Sequence, residues 1–431
     1  MMCDLAVIGA GWAGFNAAVR AVELGLKVVL IDKDRLGGTC LNYGCIPTKS
    51  LIQSAKVYAL SQKSADFGVE IAGSKIILSA AVKRKDLLVS QLNSGMQFIL
   101  KSKRITFVSG QARVISPKQI SVGSEMVETA NILVATGSRP IELFGLKFDN
   151  KKVISSDAAL ELTEIPKSIL IVGGGVIGCE FAGFFNAIGS KVSIVELLPQ
   201  ILPTEDTEIA RKLEAIFKKK GISVHTETDI NTLDLGAYDR VLVAVGRRAE
   251  AAGLGLEELG VKLEKGKVLT DEHLATNVPG IYAAGDCTGK IMLAHYASYQ
   301  GRVAAENIAR PKEAKTASNA NIPSCVFTDP EIASVGITQE AARERNLEVV
   351  VKKTDFRASG MAHVLDEADG FIKVISDKKS GIILGASIIG PKATELIAIL
   401  GLAVQSRLTV SLVKDTVFAH PTLSEIIHDA L

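Results

Sequence analysis

Two stretches of the chain repeat one pattern: DLAVIGAGWAGFNAAVRAVELGLKVVLID near the start, and SILIVGGGVIGCEFAGFFNAIGSKVSIVE from Ser168. Each reads as an apolar strand, a glycine-rich turn, a helix and a second apolar strand. Gly9, Gly11 and Gly14 make one Gly-x-Gly-x-x-Gly, and Gly173, Gly175 and Gly178 make the other. An acid, Asp32 or Glu196, closes each second strand at the same offset from the first glycine. Glycines at these places let the backbone approach a pyrophosphate, the helix N-terminus supplies positive potential, and the acid accepts ribose hydroxyls. A single fingerprint is weak evidence. Two in register with matching acids imply two dinucleotide-binding units. Glu196 repels a 2′-phosphate and no arginine follows closely in VELLPQIL, so the second unit is expected to take NAD rather than NADP.

With 431 residues, 47% hydrophobic and 22% charged, the chain has room for further globular domains. Its 49 basic and 47 acidic residues leave a net charge of +2, no footprint for nucleic acid. No apolar run approaches the ~18 residues of a membrane span, and the N-terminus lacks a basic leader region, so a cytoplasmic protein is expected. Between and beyond the repeats, ANILVATGSRP, DRVLVAVGRR and GIYAAGD read as strands ending in glycine turns, and residues 50–110 carry helical periodicity. After the polar stretch 311–320 comes an α+β pattern. The expected order is a first nucleotide unit, 1–143; a second, 144–269; a return to the first, 270–317; and a C-terminal domain, 318–431.

GGTCLNYGCIPTK, residues 37–49, sets Cys40 and Cys45 five positions apart. On a regular helix their Cα atoms would lie roughly 8.7 Å apart, whereas a disulfide wants no more than about 7 Å. A bridge therefore requires a break in the helix, which Gly44 and Pro47 permit. Redox partners, metal ligands and core residues all remain open from the residues alone. Six cysteines without a Cys-x-x-Cys pair fit neither a secreted disulfide framework nor the common zinc type.

Taken in order, GGTCLNYGCIPTK, VATGSRP, VGGGVIGCE, VAVGRR, YAAGD, PSCVFTDPEIASVG and HPTLSE make the chain resemble the FAD-dependent pyridine-nucleotide disulfide oxidoreductases. Within that family it is most similar to the members that oxidise dihydrolipoyl groups. The resemblance implies two doubly wound α/β domains, for FAD and NAD, and a C-terminal α+β dimerisation domain. It implies FAD held by Gly9, Gly11, Gly14, Asp32, Lys49, Thr136, Gly137, Gly285 and Asp286, and NAD by Gly173, Gly175, Gly178, Glu196 and Gly246. It makes Cys40 and Cys45 the redox disulfide, with Cys45 next to the flavin and Cys40 exchanging with substrate. Lys49 and Glu180 become an ion pair beside the flavin, and His420 and Glu425 the dyad that takes the substrate's proton. Other possibilities weigh here: Thr422 with Glu425 fits a capping box, His420 before Pro421 could be structural, Glu180 could complement a helix N-terminus, and Lys49 could be a surface charge. The resemblance further implies a homodimer and service to a 2-oxo acid dehydrogenase or glycine cleavage complex. Alternatives are another NADH-dependent disulfide reductase or a non-catalytic flavin-binding scaffold. The stretch 221–239 is shorter than the family's usual NAD domain, and Asp32 stands where glutamate is commoner.

Overall fold

The computed structural model describes residues 1–431. Strand Met2–Ile8, helix Trp12–Glu23 and strand Val28–Asp32 form the first repeat as expected, and Ser168–Val172, Val176–Ala187 and Lys191–Val195 form the second. Met2–Ile8 is buried from Leu5 onward and Ser168–Val172 from Ile169 onward, which matches their apolar runs and a parallel sheet covered on both faces.

In the first sheet the order runs Thr106–Ser109, Val28–Asp32, Met2–Ile8, Glu125–Val134, and these pair in parallel. Glu125–Val134 is long enough to serve twice. Its first half pairs antiparallel with Gln119–Val122, while its second half pairs with Met2–Ile8 and with the late strand Ile281–Ala283. The second sheet is wholly parallel, in the order Ser223–His225, Lys191–Val195, Ser168–Val172, Arg240–Val243, Val153–Ile154. After edge strand Ser223–His225, the short 221–239 stretch crosses over through two 3-10 turns, Ile230–Thr232 and Leu235–Ala237, and adds no further strand. In both sheets the first strand of the repeat has neighbours reached in opposite directions, so a crevice opens beyond the strands' carboxyl ends.

The C-terminal domain is an antiparallel sheet ordered Ser324–Val326, Glu331–Gly336, Ile383–Gly390, Phe371–Asp377, Val349–Asp355, with helix Ala393–Gln405 packed on it. Edge strand Val349–Asp355, VVVKKTD, has no fully buried residue, and its run of Lys352, Lys353 and Asp355 weakens the apolar signal that marks a strand in sequence. Lys373 fastens this domain to the second nucleotide unit. Its buried ammonium bonds both Asp206 oxygens at 2.9 Å and Glu208 at 3.0 Å, and Asp206 also caps helix Thr207–Lys219.

The boundary expected at 269/270 does not follow the packing. Ala251, Leu254, Leu256, Val261 and Val268 share a core with Ile8, Val29, Val114 and Ile132 of the first unit. The return to that unit therefore begins near Ala249, where Arg247–Ala249 pairs with Ser138–Pro140. The apolar side chains of 251–268 are too scattered to announce a sheet partner, so the sequence alone left them with the preceding domain. No helix is long and apolar enough to cross a membrane.

Candidate active site

The two glycine triplets adopt the same geometry. Gly9 and Gly173 have φ of 106° and 105°, and a Cβ on either would strike the carbonyl of Ala135 or Ala244 at 2.2 and 2.5 Å. Gly14 and Gly178 allow the closest helix-to-strand approach, since a Cβ there would stand 1.8 and 2.0 Å from the carbonyls of Gly9 and Gly173. Gly11 and Gly175 differ: a Cβ would meet nothing nearer than 3.8 Å at Gly11 and nothing within 4 Å at Gly175. Open space thus lies over the middle glycine of each triplet. Both helices start there with no side-chain cap, so their N–H donors are free to meet a pyrophosphate. The donor set fits a dinucleotide in each cradle.

Asp32 and Glu196 reach back over their turns. Asp32 Oδ2 accepts from Ala10 N at 2.5 Å, and Glu196 Oε2 accepts from Gly174 N at 2.7 Å. Thr136 and Gly137 follow Ala135 over the first cradle, and Gly246 follows Ala244 over the second, so VATGSRP and VAVGRR are the same structural position in the two repeats. Thr136 Oγ1 donates to the Glu250 carbonyl. Gly285 donates its N–H to Gln300 Oε1 at 2.8 Å, while the Gln300 amide nitrogen is buried without a partner.

Asp286 is held in a network that the sequence did not disclose. Ser138 Oγ donates to Asp286 Oδ2 at 2.6 Å, and Arg247 donates to Ser138 Oγ at 2.8 Å and to the Ser138 carbonyl at 2.7 Å. Burial raises the Asp286 carboxyl above its usual range, against the pull of Ser138 and Arg247. Both residues stood inside quoted motifs; only the pairing of their strands reveals the bond.

Helix Gly38–Asn42 ends after Cys40, and helix Cys45–Gln62 begins at Cys45. This supplies the break a bridge would require. Gly44 serves through close approach rather than a left-handed φ: a Cβ there would sit 3.1 Å from the Thr39 carbonyl. Both cysteines are thiols in this structure. Their mutual interaction makes them unequal: Cys45 and burial raise the Cys40 thiol, while Cys40 and then the Lys49 ammonium lower Cys45 against burial. Lys49 stands one helical turn after Cys45, on the same face.

Lys49 Nζ lies 2.8 and 2.7 Å from the two Glu180 oxygens. Glu180 also accepts from Phe327 N at 3.0 Å, and the Lys49 ammonium sits 4.6 Å from the Phe327 ring centroid. One buried carboxylate therefore joins the cysteine helix, the second repeat and the C-terminal domain. Glu180 lies inside helix Val176–Ala187 and does not cap it, and the Lys49 side chain is only 28% exposed. A surface charge does not describe Lys49.

His420 Nδ1 lies 2.9 Å from Glu425 Oε1, and Glu425 Oε2 accepts from Thr422 N at 2.8 Å. Dyad and capping contact coexist, one oxygen each. The Thr422 N–H and then His420 hold the Glu425 carboxyl below its usual range. The His420 side chain is 82% exposed and bonds only within its own domain, so the structure does not bring it to the cysteines of its own chain.

Residues 3–301 match the pyridine nucleotide-disulphide oxidoreductase family, and residues 322–431 match that family's dimerisation domain. The chain belongs to the pyridine nucleotide-disulphide oxidoreductases. It is 40% identical over 448 residues to a dihydrolipoyl dehydrogenase of Bacillus subtilis (strain 168), spanning 99% of this chain and 97% of that protein. A dihydrolipoyl dehydrogenase of Chlamydia trachomatis is 41% identical over 442 residues, spanning 98% and 95%. Among solved structures, the HOCl-induced flavoprotein disulfide reductase RclA from Escherichia coli superimposes with a TM-score of 0.89 at 29% identity, over 99% of each chain. The resemblance drawn from the motifs is borne out.

Proposed function

We infer that this chain is a dihydrolipoyl dehydrogenase: an FAD-dependent enzyme that oxidises dihydrolipoyl groups to the disulfide and delivers the electrons to NAD. The placement of Cys40 and Cys45 at adjoining helix ends, with the Lys49–Glu180 pair one turn beyond Cys45, carries the reading, because a binding scaffold has no use for two thiols set beside a half-buried cation. The first cradle, with Asp32, Thr136, Gly137, Gly285 and Asp286, would hold FAD beside Lys49. The second, with Glu196 and Gly246, would hold NAD. Bound there, FAD accepts an electron pair from reduced sulfur, and NAD carries it away as hydride.

The protein's own groups divide the sulfur chemistry. Cys40 takes the substrate's attack and Cys45 leaves, its thiolate stabilised by the Lys49 ammonium and the helix N-terminus. Glu425 engages Nδ1 of His420, leaving Nε2 to take the proton of the substrate thiol. Because His420 faces outward within its own chain, it would serve the cysteines of a second copy across the dimerisation domain. Composition without a membrane-spanning helix fits a cytoplasmic enzyme, and the dehydrogenase relatives support service to a 2-oxo acid dehydrogenase or glycine cleavage complex. Steady-state assays of NADH and NADPH against lipoamide, glutathione disulfide and related disulfides test the assignment. NADH with lipoamide is expected to give the highest kcat/KM. Turnover only of another disulfide would move the chain to a different reductase activity, and turnover of none would leave the scaffold.

A further inference from the structure

The chain has one tryptophan, and it stands inside the first glycine fingerprint. Trp12 opens helix Trp12–Glu23 directly after Gly11, where the second repeat has Val176. Pyrophosphate binding by backbone N–H groups asks nothing of an indole at this place. The Trp12 Nε1 is buried without a hydrogen-bond partner, and a buried donor left unpaired is costly enough to call for an explanation.

Its neighbour supplies one. Helix Gly38–Asn42, which carries Cys40, lies on the fingerprint turn: a Cβ on Gly38 would stand 2.6 Å from the Gly11 Cα. That approach sets the helix carrying Cys40 against the turn that Trp12 follows, and the Trp12 side chain draws the Cys40 thiol down against the upward push of Cys45 and burial. The indole N–H nonetheless has no hydrogen-bond partner while Cys40 is a thiol. An indole N–H only donates, and a neutral thiol is a weak acceptor, whereas a thiolate is a strong one.

We propose that Trp12 is a positioning residue for the exchange thiol, its indole N–H stabilising the Cys40 sulfur whenever that sulfur carries negative charge. The inference rests on the reading of Cys40 as the thiol that exchanges with substrate. In the first exchange a substrate thiolate attacks Cys40 of the Cys40–Cys45 disulfide, a new S–S bond forms, and Cys45 leaves with the electron pair of the old one. In the second, the other substrate thiolate attacks the substrate sulfur of the mixed disulfide. The substrate disulfide forms, and Cys40 leaves with the pair, so two electrons have passed to the protein's sulfurs. A thiol of raised pKa is a poor leaving group. The indole N–H offsets this at the one step where Cys40 must depart as an anion.

Because the chain has a single tryptophan, growth of a tryptophan auxotroph on β-(3-benzothienyl)alanine replaces Trp12 alone, keeping the ring's shape and deleting the N–H. This protein, Trp12→Phe and the wild type are purified with bound flavin and reduced anaerobically with dithiothreitol. Alkylation of Cys40 and Cys45 by iodoacetamide is then followed by peptide mass spectrometry as a function of pH. Loss of the N–H is expected to slow Cys40 alkylation roughly tenfold at fixed pH, a rise of about one unit in its titration, with Cys45 unmoved and flavin absorbance retained. An unchanged Cys40 profile in the benzothienyl protein overturns the proposal. So does flavin loss with the Cys40 profile unmoved, which would give the N–H to the cofactor. Should Trp12→Phe fail to fold, the benzothienyl protein decides. Wild-type labelling of Cys45 and never Cys40 would instead reject Cys40 as the exchange thiol, a separate failure.

Discussion

The two pairs of acid and base in this chain are built on opposite plans. Lys49 and Glu180 meet deep in the molecule, where Glu180 is 3% exposed and three parts of the chain converge on it. His420 and Glu425 meet on a surface turn of one domain, with His420 82% exposed. Burial fixes the first pair without outside help, so the geometry around Cys45 is complete within one chain. The second pair is geometrically formed but faces solvent, where a histidine has no sulfur to serve. On the function proposed above, half of the site is finished by folding and the other half by association.

Hybrid dimers break or sharpen that comparison most strongly. Cys40→Ser is expected to abolish turnover, and His420→Ala to lower it by about 10²–10⁴. When equal amounts are mixed under conditions that exchange subunits, each hybrid has one site with both defects and one with neither. Roughly a quarter of all sites should then recover under random pairing. Verified exchange without recovered activity would place His420 at its own chain's cysteines.

Alanine at the two acids should separate folding from catalysis. Glu180→Ala leaves the Lys49 ammonium half-buried without its partner and is expected to cost on the order of 3 kcal/mol, seen as an earlier denaturant midpoint. Glu425→Ala should leave that midpoint nearly unchanged while turnover falls. Equal destabilisation by both would remove the contrast between the pairs.

The sequence disclosed what local pattern encodes. Paired glycine triplets, two acids at one offset, and a lysine one helical turn after Cys45 all depend on neighbours in the chain, and the structure places them as that pattern requires. What it hid depends on contacts between distant strands. Arg247 reaches Ser138 only because Arg247–Ala249 pairs with Ser138–Pro140, and the third partner of Glu180 is a backbone N–H, which no side-chain identity could signal. The packing of residues 251–268 into the core of the first unit was hidden for the same reason. The indole of Trp12 was visible as a letter inside the fingerprint, but its buried N–H was not.

The smallest expected effect reads the buried pair through Cys45 itself. Its thiol is lowered below the usual cysteine range, first by Cys40 and then by Lys49, so the thiolate persists to lower pH than for an ordinary thiol and is lost as pH falls through that lowered value. Lys49 favours the anion and Glu180 opposes it, which gives substitutions at the two residues opposite signs. Lys49→Met removes the cation and leaves the carboxylate uncompensated; both changes disfavour the thiolate, and the midpoint should rise by about one unit. Glu180→Gln removes the anion while keeping a polar partner for Lys49, and the midpoint should fall. The long-wavelength charge-transfer absorbance of anaerobically reduced holoprotein, titrated against pH, reports the Cys45 thiolate directly, and Cys45→Ser should lack the band while retaining flavin. Shifts in the same direction for both variants would mean that the pair acts on Cys45 through packing, and the contrast between a buried charge pair and an exposed dyad would then rest on stability alone.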